Sequence, residues 1–316
     1  MINDNNDELE TLQNVPTDEE LANLPTREIV KSYNMNERSV RRLRARRGID
    51  SPSPQNNQYS TITPNSKYTI PESKMPLMNN WLKLTGDRAV ISCIHAPYQN
   101  HRVLEDFLNT ADSLGIRKAT IIGDVFDNNA FNRKRGGMFQ SYRWSDAVQV
   151  VQEIFKEFDK CFESYEVLTG NHDNWLIDRL GNEIDYDQIM DSLMHRANPR
   201  AVWSKFSHAD LISGGKPFKL IHGANYSAVN PLGVASAYCD KYQSNVCMGH
   251  QHSCSQGFSS SGFQAIVSGG AFSEERFGYT NIDPRKSPKM QNGFVMITEG
   301  SAKLYTKSDF SRWENK

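Results

Sequence analysis

The residues able to do chemistry in this 316-residue chain recur at one kind of place, just after short apolar runs. Of eight histidines, five follow or adjoin such a run: His95 after AVISCI, His172 after YEVLTGN, His222 after FKLI, and His250 and His252 after NVCMG. Asp124 stands in the same relation to KATIIG. Apolar, β-branched runs of this length read as buried strands. In an open α/β sheet the chain leaves the carboxyl ends of the strands into loops that build the active site, so residues placed there converge. These six residues are therefore expected in one cleft. Imidazoles, a carboxylate and an amide form the ligand set that suits Zn, Fe, Mn or Ni. His101, His195 and His208 read instead as ordinary surface or core histidines.

The elements that must position them begin near residue 80. From there apolar runs alternate with amphipathic stretches such as SDAVQVVQEIFKEFDKCF, the pattern of an α/β domain. The segment from about residue 264 to 306 carries Gly269-Gly270 and Pro284 and reads as further strands with a rim loop. Arg133, Lys134 and Arg135 precede Gly136-Gly137; they read first as a solvated loop tip and second as contacts to a phosphate flanking the scissile one. The chain has no internal repeat, Walker A loop, G-x-G-x-x-G fingerprint or G-x-S-x-G elbow, so nothing points to nucleotide-driven or serine chemistry.

The spaced blocks resemble those of the calcineurin-like metallophosphoesterases, whose motifs run D-x-H, G-D-x-x-D, G-N-H-D/E, a histidine followed by a small residue, and G-H-x-H. This chain carries Cys93-Ile94-His95, Gly123-Asp124-Val125-Phe126-Asp127, Gly170-Asn171-His172-Asp173, His222-Gly223 and Gly249-His250-Gln251-His252 in that order. The resemblance implies a four-layer αββα sandwich and a pair of divalent metal ions (Mn, Fe, Zn or Ni). It implies that His95, Asp124 and His252 hold one ion together with Cys93, that Asn171, His222 and His250 hold the other, and that Asp124 bridges. His172 would be catalytic, facing the substrate, and Asp127 and Asp173 would orient rings and loops behind the ligands. Cys93 departs from the pattern: it stands where the family has an aspartate, and its softer single sulfur donor favours Zn or Fe over Mn. The implied reaction is hydrolysis of a phosphoester by a water activated between two metals.

Ahead of this domain, residues 1–50 are rich in charge and helix formers, and residues 51–79 form a Pro, Ser and Asn-rich linker, leaving residues 80–316 for the catalytic domain. Thr17 to Glu20 matches a capping box, with a short helix expected through Leu21 and Leu24. TREIVKSYN reads as a second helix, Asn34-Met35-Asn36 as a turn, and ERSVRRLRARRG as a third helix capped by Asn36 and ended by Gly48. The result is a small all-α, helix-turn-helix-like module. In its last helix Val40 and Leu43 are expected inward, and Arg38, Arg41, Arg42, Arg44, Arg46 and Arg47 outward, able to clamp DNA phosphates.

Bulk composition narrows the rest. Basic residues number 36 and acidic 37, so any attraction to nucleic acid must be local. Five cysteines without C-x-x-C spacing read as reduced thiols, and the acidic amino terminus lacks a signal peptide's regions, so a cytoplasmic location and no membrane association are expected. The leading expectation is a metal-dependent phosphoesterase acting on a phosphodiester or phosphomonoester, and the neighbouring basic module makes a DNA-associated phosphodiesterase or nuclease the natural guess within it. The alternatives are a protein or nucleotide phosphatase, and a DNA-binding or scaffold protein whose phosphoesterase site is degenerate at Cys93.

Overall fold

The computed structural model describes residues 15–49, 80–132, 142–180, 184–225, 227, 229–273, 290–310 and 313. The chain divides into two units, Met1–Met75 and Pro76–Lys316. The linker expected at 51–79, Arg133, Lys134, Arg135 and Pro284 lie outside the described residues.

The first unit contains helices α1 (Asp18–Asn23), α2 (Thr26–Tyr33) and α3 (Glu37–Arg47). Their limits follow from caps written in the sequence. Thr17 Oγ1 accepts the Glu20 N–H at 3.3 Å while the Glu20 carboxylate accepts the Thr17 N–H at 2.8 Å. Asn36 Oδ1 accepts the Ser39 N–H at 2.8 Å to open α3. Asn34 and Gly48 close α2 and α3 in the left-handed region, at φ 47° and 66°. Leu21, Ile29 and Val40, one from each helix, form the buried centre, with Leu24, Tyr33, Met35 and Leu43 packed around it.

The outward placement expected for Arg44 is overturned, since this side chain is only 2% exposed. Its Nε donates to Leu21 O at 2.8 Å, one terminal nitrogen to Thr26 Oγ1 at 2.6 Å and the other to Leu24 O at 2.6 Å. The cause is helical spacing. Arg44 sits one turn beyond buried Val40, on the face turned toward α1, whose last carbonyls have no donors within their own helix. A planar guanidinium supplies several donors at once, with a charge favoured at a helix carboxyl end. Arg47 is also engaged, donating to Pro16 O at 3.2 Å and Asp18 Oδ1 at 2.7 Å. Arg38, Arg41, Arg42 and Arg46 are exposed.

The second unit runs β1 (Lys83–Thr85), β2 (Arg88–Ile91), α4 (His101–Ser113), β3 (Lys118–Ile122), α5 (Trp144–Cys161), β4 (Ser164–Leu168), α6 (Asn171–Arg179), α7 (Tyr186–Met194), β5 (Ala201–Trp203), β6 (His208–Ser213), β7 (Lys216–Ile221), α8 (Pro231–Tyr242), β8 (Asn245–Met248), β9 (Ser255–Phe258), β10 (Gln264–Val267), β11 (Gly293–Thr298) and β12 (Ser301–Thr306). The strands form two six-stranded sheets, ordered β1-β6-β7-β8-β10-β9 and β12-β11-β2-β3-β4-β5. Within them β2, β3 and β4 are parallel neighbours, as are β7 and β8.

Side-chain alternation sorts these residues into layers. Ala89 and Ile91 of β2, Ala119 and Ile121 of β3, and Tyr165 and Val167 of β4 pack with Phe107 of α4 and Phe155 and Phe158 of α5. Val90, Ile122 and Leu168, from the opposite face of the same strands, meet Leu211, Phe218, Leu220 and Cys247 of the other sheet. The far side of that sheet is covered by Ala235 and Cys239 of α8 against Val246, Met248 and Ala265. Helix, sheet, sheet, helix is the four-layer αββα sandwich expected.

Candidate metal centre

Every strand that the sequence singled out delivers its polar residues from its carboxyl end. Cys93 and His95 follow β2, Asp124 follows β3, Asn171 and His172 open α6 after β4, His222 follows β7, and His250 and His252 follow β8. The turns are tight. Cys93, His95, Asp124, His250 and His252 all adopt left-handed backbone, with φ between 49° and 68°. That region is costly for residues other than glycine and persists where surrounding structure imposes it, commonly at functional sites. The close approach also explains two glycines. A Cβ on Gly123 would lie 2.5 Å from His222 Nδ1, and one on Gly170 only 2.1 Å from Asp124 Oδ1.

The side chains meet as two groups that share one carboxylate. Ligand atoms of Cys93, His95, Asp124 and His252 lie within 4.8 Å of one another, and so do those of Asp124, His222 and His250. In the first group His95 Nε2 is 3.1 Å from His252 Nε2 and 3.8 Å from Asp124 Oδ2. In the second, His222 Nε2 is 3.2 Å from Asp124 Oδ2 and 3.0 Å from Asn171 Oδ1. Asp124 therefore reaches both groups with Oδ2, while its Oδ1 accepts the His172 N–H at 2.8 Å. Cys93 Sγ accepts the His250 backbone N–H at 3.3 Å.

The donor set fits divalent cations. Burial, reinforced by neighbouring imidazoles, pushes His95 and His252 below the usual histidine range and His250 down to about 4, so all three are neutral near pH 7 with lone pairs to offer. Burial acts to raise the Asp124 carboxyl, but the charge of His222 and then His172 outweighs it and holds Asp124 well below its ordinary value. His222 is the counterpart: burial acts to lower it, but Asp124 wins and raises it. Its Nδ1 is 2.8 Å from Ile122 O, which can only accept, so Nδ1 carries hydrogen and Nε2 is the atom turned to Asp124 and Asn171. A ring that donates one N–H to a backbone carbonyl is the usual arrangement of a metal-ligating histidine. Cys93 is raised by burial and then by Asp124, so its thiol must lose a proton to ligate.

Around the donors stand residues that hold them. Asp173 Oδ2 accepts the backbone N–H groups of Asp124 and Gly170, each at 2.8 Å, which locks the loops after β3 and β4 together. Asp127 Oδ1 is 3.7 Å from both His95 Nδ1 and His172 Nδ1, and the Asp127 carbonyl is in hydrogen-bond contact with His172 Nδ1. Sequence reasoning missed several supports. Tyr142 donates to Asp127 Oδ2 at 3.3 Å, Asn128 donates to His172 O at 3.2 Å, and Trp144 donates to Asn128 Oδ1 at 3.1 Å. Trp175 packs on the His172 ring with centroids 4.0 Å apart. Asn128 adjoins the G-D-x-x-D block and Trp175 lies one helical turn after His172, which are weak signals; nothing in the sequence marks Tyr142 or Trp144. His101 lies exposed at the start of α4, His195 ends α7, and His208 packs 5.3 Å from the Trp81 ring, so none of these three joins either group.

No protein-family model and no curated protein matches the sequence. Among solved structures the chain is similar to an archaeal phosphodiesterase (10% identity, 70% of this chain and 99% of that one, TM-score 0.40). It is also similar to a zinc-bound Vps29 from Entamoeba histolytica (13% identity, 69% and 97%, TM-score 0.35) and to a dimetal phosphatase from Danio rerio (12% identity, 70% and 98%, TM-score 0.34).

Proposed function

We propose that the second unit hydrolyses phosphoesters with a pair of divalent cations, one held by Cys93, His95, Asp124 and His252 and the other by Asp124, Asn171, His222 and His250. The observation that carries this reading is the single carboxylate, Asp124, within reach of both donor groups. A carboxylate suits such a shared position, since its full negative charge faces both groups through Oδ2 while Oδ1 accepts the His172 N–H. The ordered motif blocks of the sequence support the same reading. Two cations, when bound, supply a water acidic enough to attack near neutral pH and neutralise charge on the phosphate.

The chain's own residues do the remainder. His172 Nδ1 faces the Asp127 carbonyl and therefore carries hydrogen, which makes Nε2 the atom that can exchange a proton. From there it stabilises charge on the phosphate and protonates the departing oxygen. Asp127, supported by Tyr142, orients the His95 and His172 rings; Asp173 fixes the loop that carries Asp124. The sulfur of Cys93 favours Zn or Fe over Mn in the first site.

For the first unit, we infer that α3 docks on duplex DNA through Arg38, Arg41, Arg42 and Arg46, which makes nucleic-acid phosphodiesters the natural substrate. Arg41 also pairs with Glu37 at 3.3 Å, but an exposed pair of this kind is weak and yields readily to a phosphate.

The test joins metal analysis of the purified protein to hydrolysis of a chromogenic phosphodiester. Expected are bound divalent metal and turnover, with His172→Ala lowering kcat roughly 100-fold while metal content is retained. Protein that takes up no divalent metal and releases no chromophore would overturn the proposal.

A further inference from the structure

We propose that a cavity along α8 is the subsite for the nucleoside arm of a nucleotide phosphodiester, beside the scissile phosphate; this rests on the hydrolytic reading above. The cavity has a volume of about 560 Å³ and is lined by Asn225, Ser227, Asn230, Val234, Tyr238 and Lys241 among others. Its Asn225 edge adjoins the metal centre through one covalent and one hydrogen-bonded link. Asn225 follows the ligand His222 by three residues, at most roughly 10 Å of extended chain. From the other side, Gln251 stands between the ligands His250 and His252 and is 1% exposed.

Gln251 fastens the cavity's loop to the ligand loop. Its Nε2 donates to the Asn225 carbonyl, and its Oε1 accepts the Ser227 N–H at 2.8 Å. The chain of hydrogen bonds continues outward: Ser227 Oγ accepts the Asn230 N–H at 3.0 Å, and Asn230 Oδ1 accepts the Gly233 N–H at 2.8 Å to cap α8. The edge of the cavity formed by Asn225, Ser227 and Asn230 is thus braced against the loop whose residues are proposed to hold metal, and Val234, Tyr238 and Lys241 continue the wall along α8.

Its chemistry selects the occupant. Tyr238 offers an aromatic face and is itself steadied by the parallel Tyr242 ring, 6.0 Å away with planes 7° apart. Val234 and Ala237 add apolar surface, Asn225 and Asn230 amides, Ser227 a hydroxyl, and Lys241 a cation. Stacking surface, amide and hydroxyl groups for a base or sugar, and one positive charge for a neighbouring phosphate are the ingredients of a nucleotide groove. A simple phosphomonoester would leave all of them unused.

Thymidine 3′-phosphate 5′-(4-nitrophenyl phosphate) and methyl 4-nitrophenyl phosphate share one leaving group and differ only in the arm that the subsite would take, the thymidine arm carrying the neighbouring phosphate assigned to Lys241. In both, water adds to phosphorus, the bond to 4-nitrophenolate breaks, and the protons go to solvent and product phosphate. With the full-length, metal-loaded protein, kcat/KM should favour the thymidine ester. Tyr238→Ala should cut that preference about tenfold, Tyr238→Phe should keep it, and Lys241→Gln should cut it several-fold. Equal kcat/KM for the two esters, or a preference unchanged in Tyr238→Ala and Lys241→Gln, overturns the subsite. If neither ester is hydrolysed, the hydrolytic reading fails by itself, and calorimetric titration of the same proteins with thymidine 3′,5′-bisphosphate decides the subsite separately. Binding that Tyr238→Ala weakens about tenfold sustains it, and no binding to the wild-type chain overturns it. Should Tyr238→Ala melt early, the exposed Lys241→Gln variant carries the comparison.

Discussion

At the scale of single residues, the position with most chemical consequence is Cys93. Its burial among His95, Asp124 and His252, and the His250 N–H directed at its sulfur, describe a thiol that becomes a ligand only by giving up its proton. Loading with Co should therefore produce a sulfur-to-metal charge-transfer absorption in the near ultraviolet. Cys93→Asp should abolish that band while preserving or raising Mn-supported hydrolysis, because a carboxylate is the harder donor. A band unchanged in the variant would remove Cys93 from the ligand set, and complete loss of activity with it would count against simple substitution of one ligand for another. The donor types were legible in the sequence because each sits in a short block after an apolar run. The supports were not: Tyr142 reaches Asp127 from 15 residues away and Asn128 reaches His172 across 44, distances over which local patterns carry no information.

At the scale of elements, helix α3 separates two uses of arginine. Arg44→Ala strands the Leu21 and Leu24 carbonyls and should lower the stability of the first unit by about 2–3 kcal/mol, with Arg44→Lys recovering little. Arg42→Glu should leave melting unchanged and instead weaken duplex DNA binding, whose dependence on salt must be steep if phosphates are the contact. Undetectable binding of the wild-type chain at low salt would take DNA out of the account. In the second unit, β1, β6 and β7 are tied by Asp210, which accepts from Lys219 at 2.6 Å, from Trp81 Nε1 at 2.8 Å, and from Lys83. Burial acts to raise the Asp210 carboxyl, but these hydrogen bonds prevail and hold it below its ordinary value. A depressed carboxyl stabilises the fold above its unfolded pKa, near 4, and that contribution is lost as pH falls through the folded value. Asp210→Asn should thus lower Tm at pH 7, with the difference from wild type shrinking below about pH 4. An equal Tm difference at both pH values would contradict this linkage.

At the scale of the whole molecule, the two units predict two thermal transitions with different dependence on metal. Exhaustive chelation should lower the Tm of the second unit's transition and leave the first unit's where it was, since a cation bound only by the folded state stabilises that state by mass action. A scan in which both transitions move together, or neither moves, would argue against metal binding confined to the second unit. By itself the sequence determined what depends on neighbours along the chain. Thr17, Asn36 and Gly48 set helix ends through hydrogen bonds spanning three or four residues, and strand runs placed His95, Asp124, His172, His222, His250 and His252 at carboxyl termini. Only the tertiary structure decided what depends on distant partners: that Asp124 lies between two donor groups, that five site residues are held in left-handed backbone, and that Gln251 joins a ligand loop to α8. Arg44 marks the boundary between these, because helical periodicity gives the face a side chain takes, whereas the acceptors waiting there belong to another helix and appear only once the chain has folded.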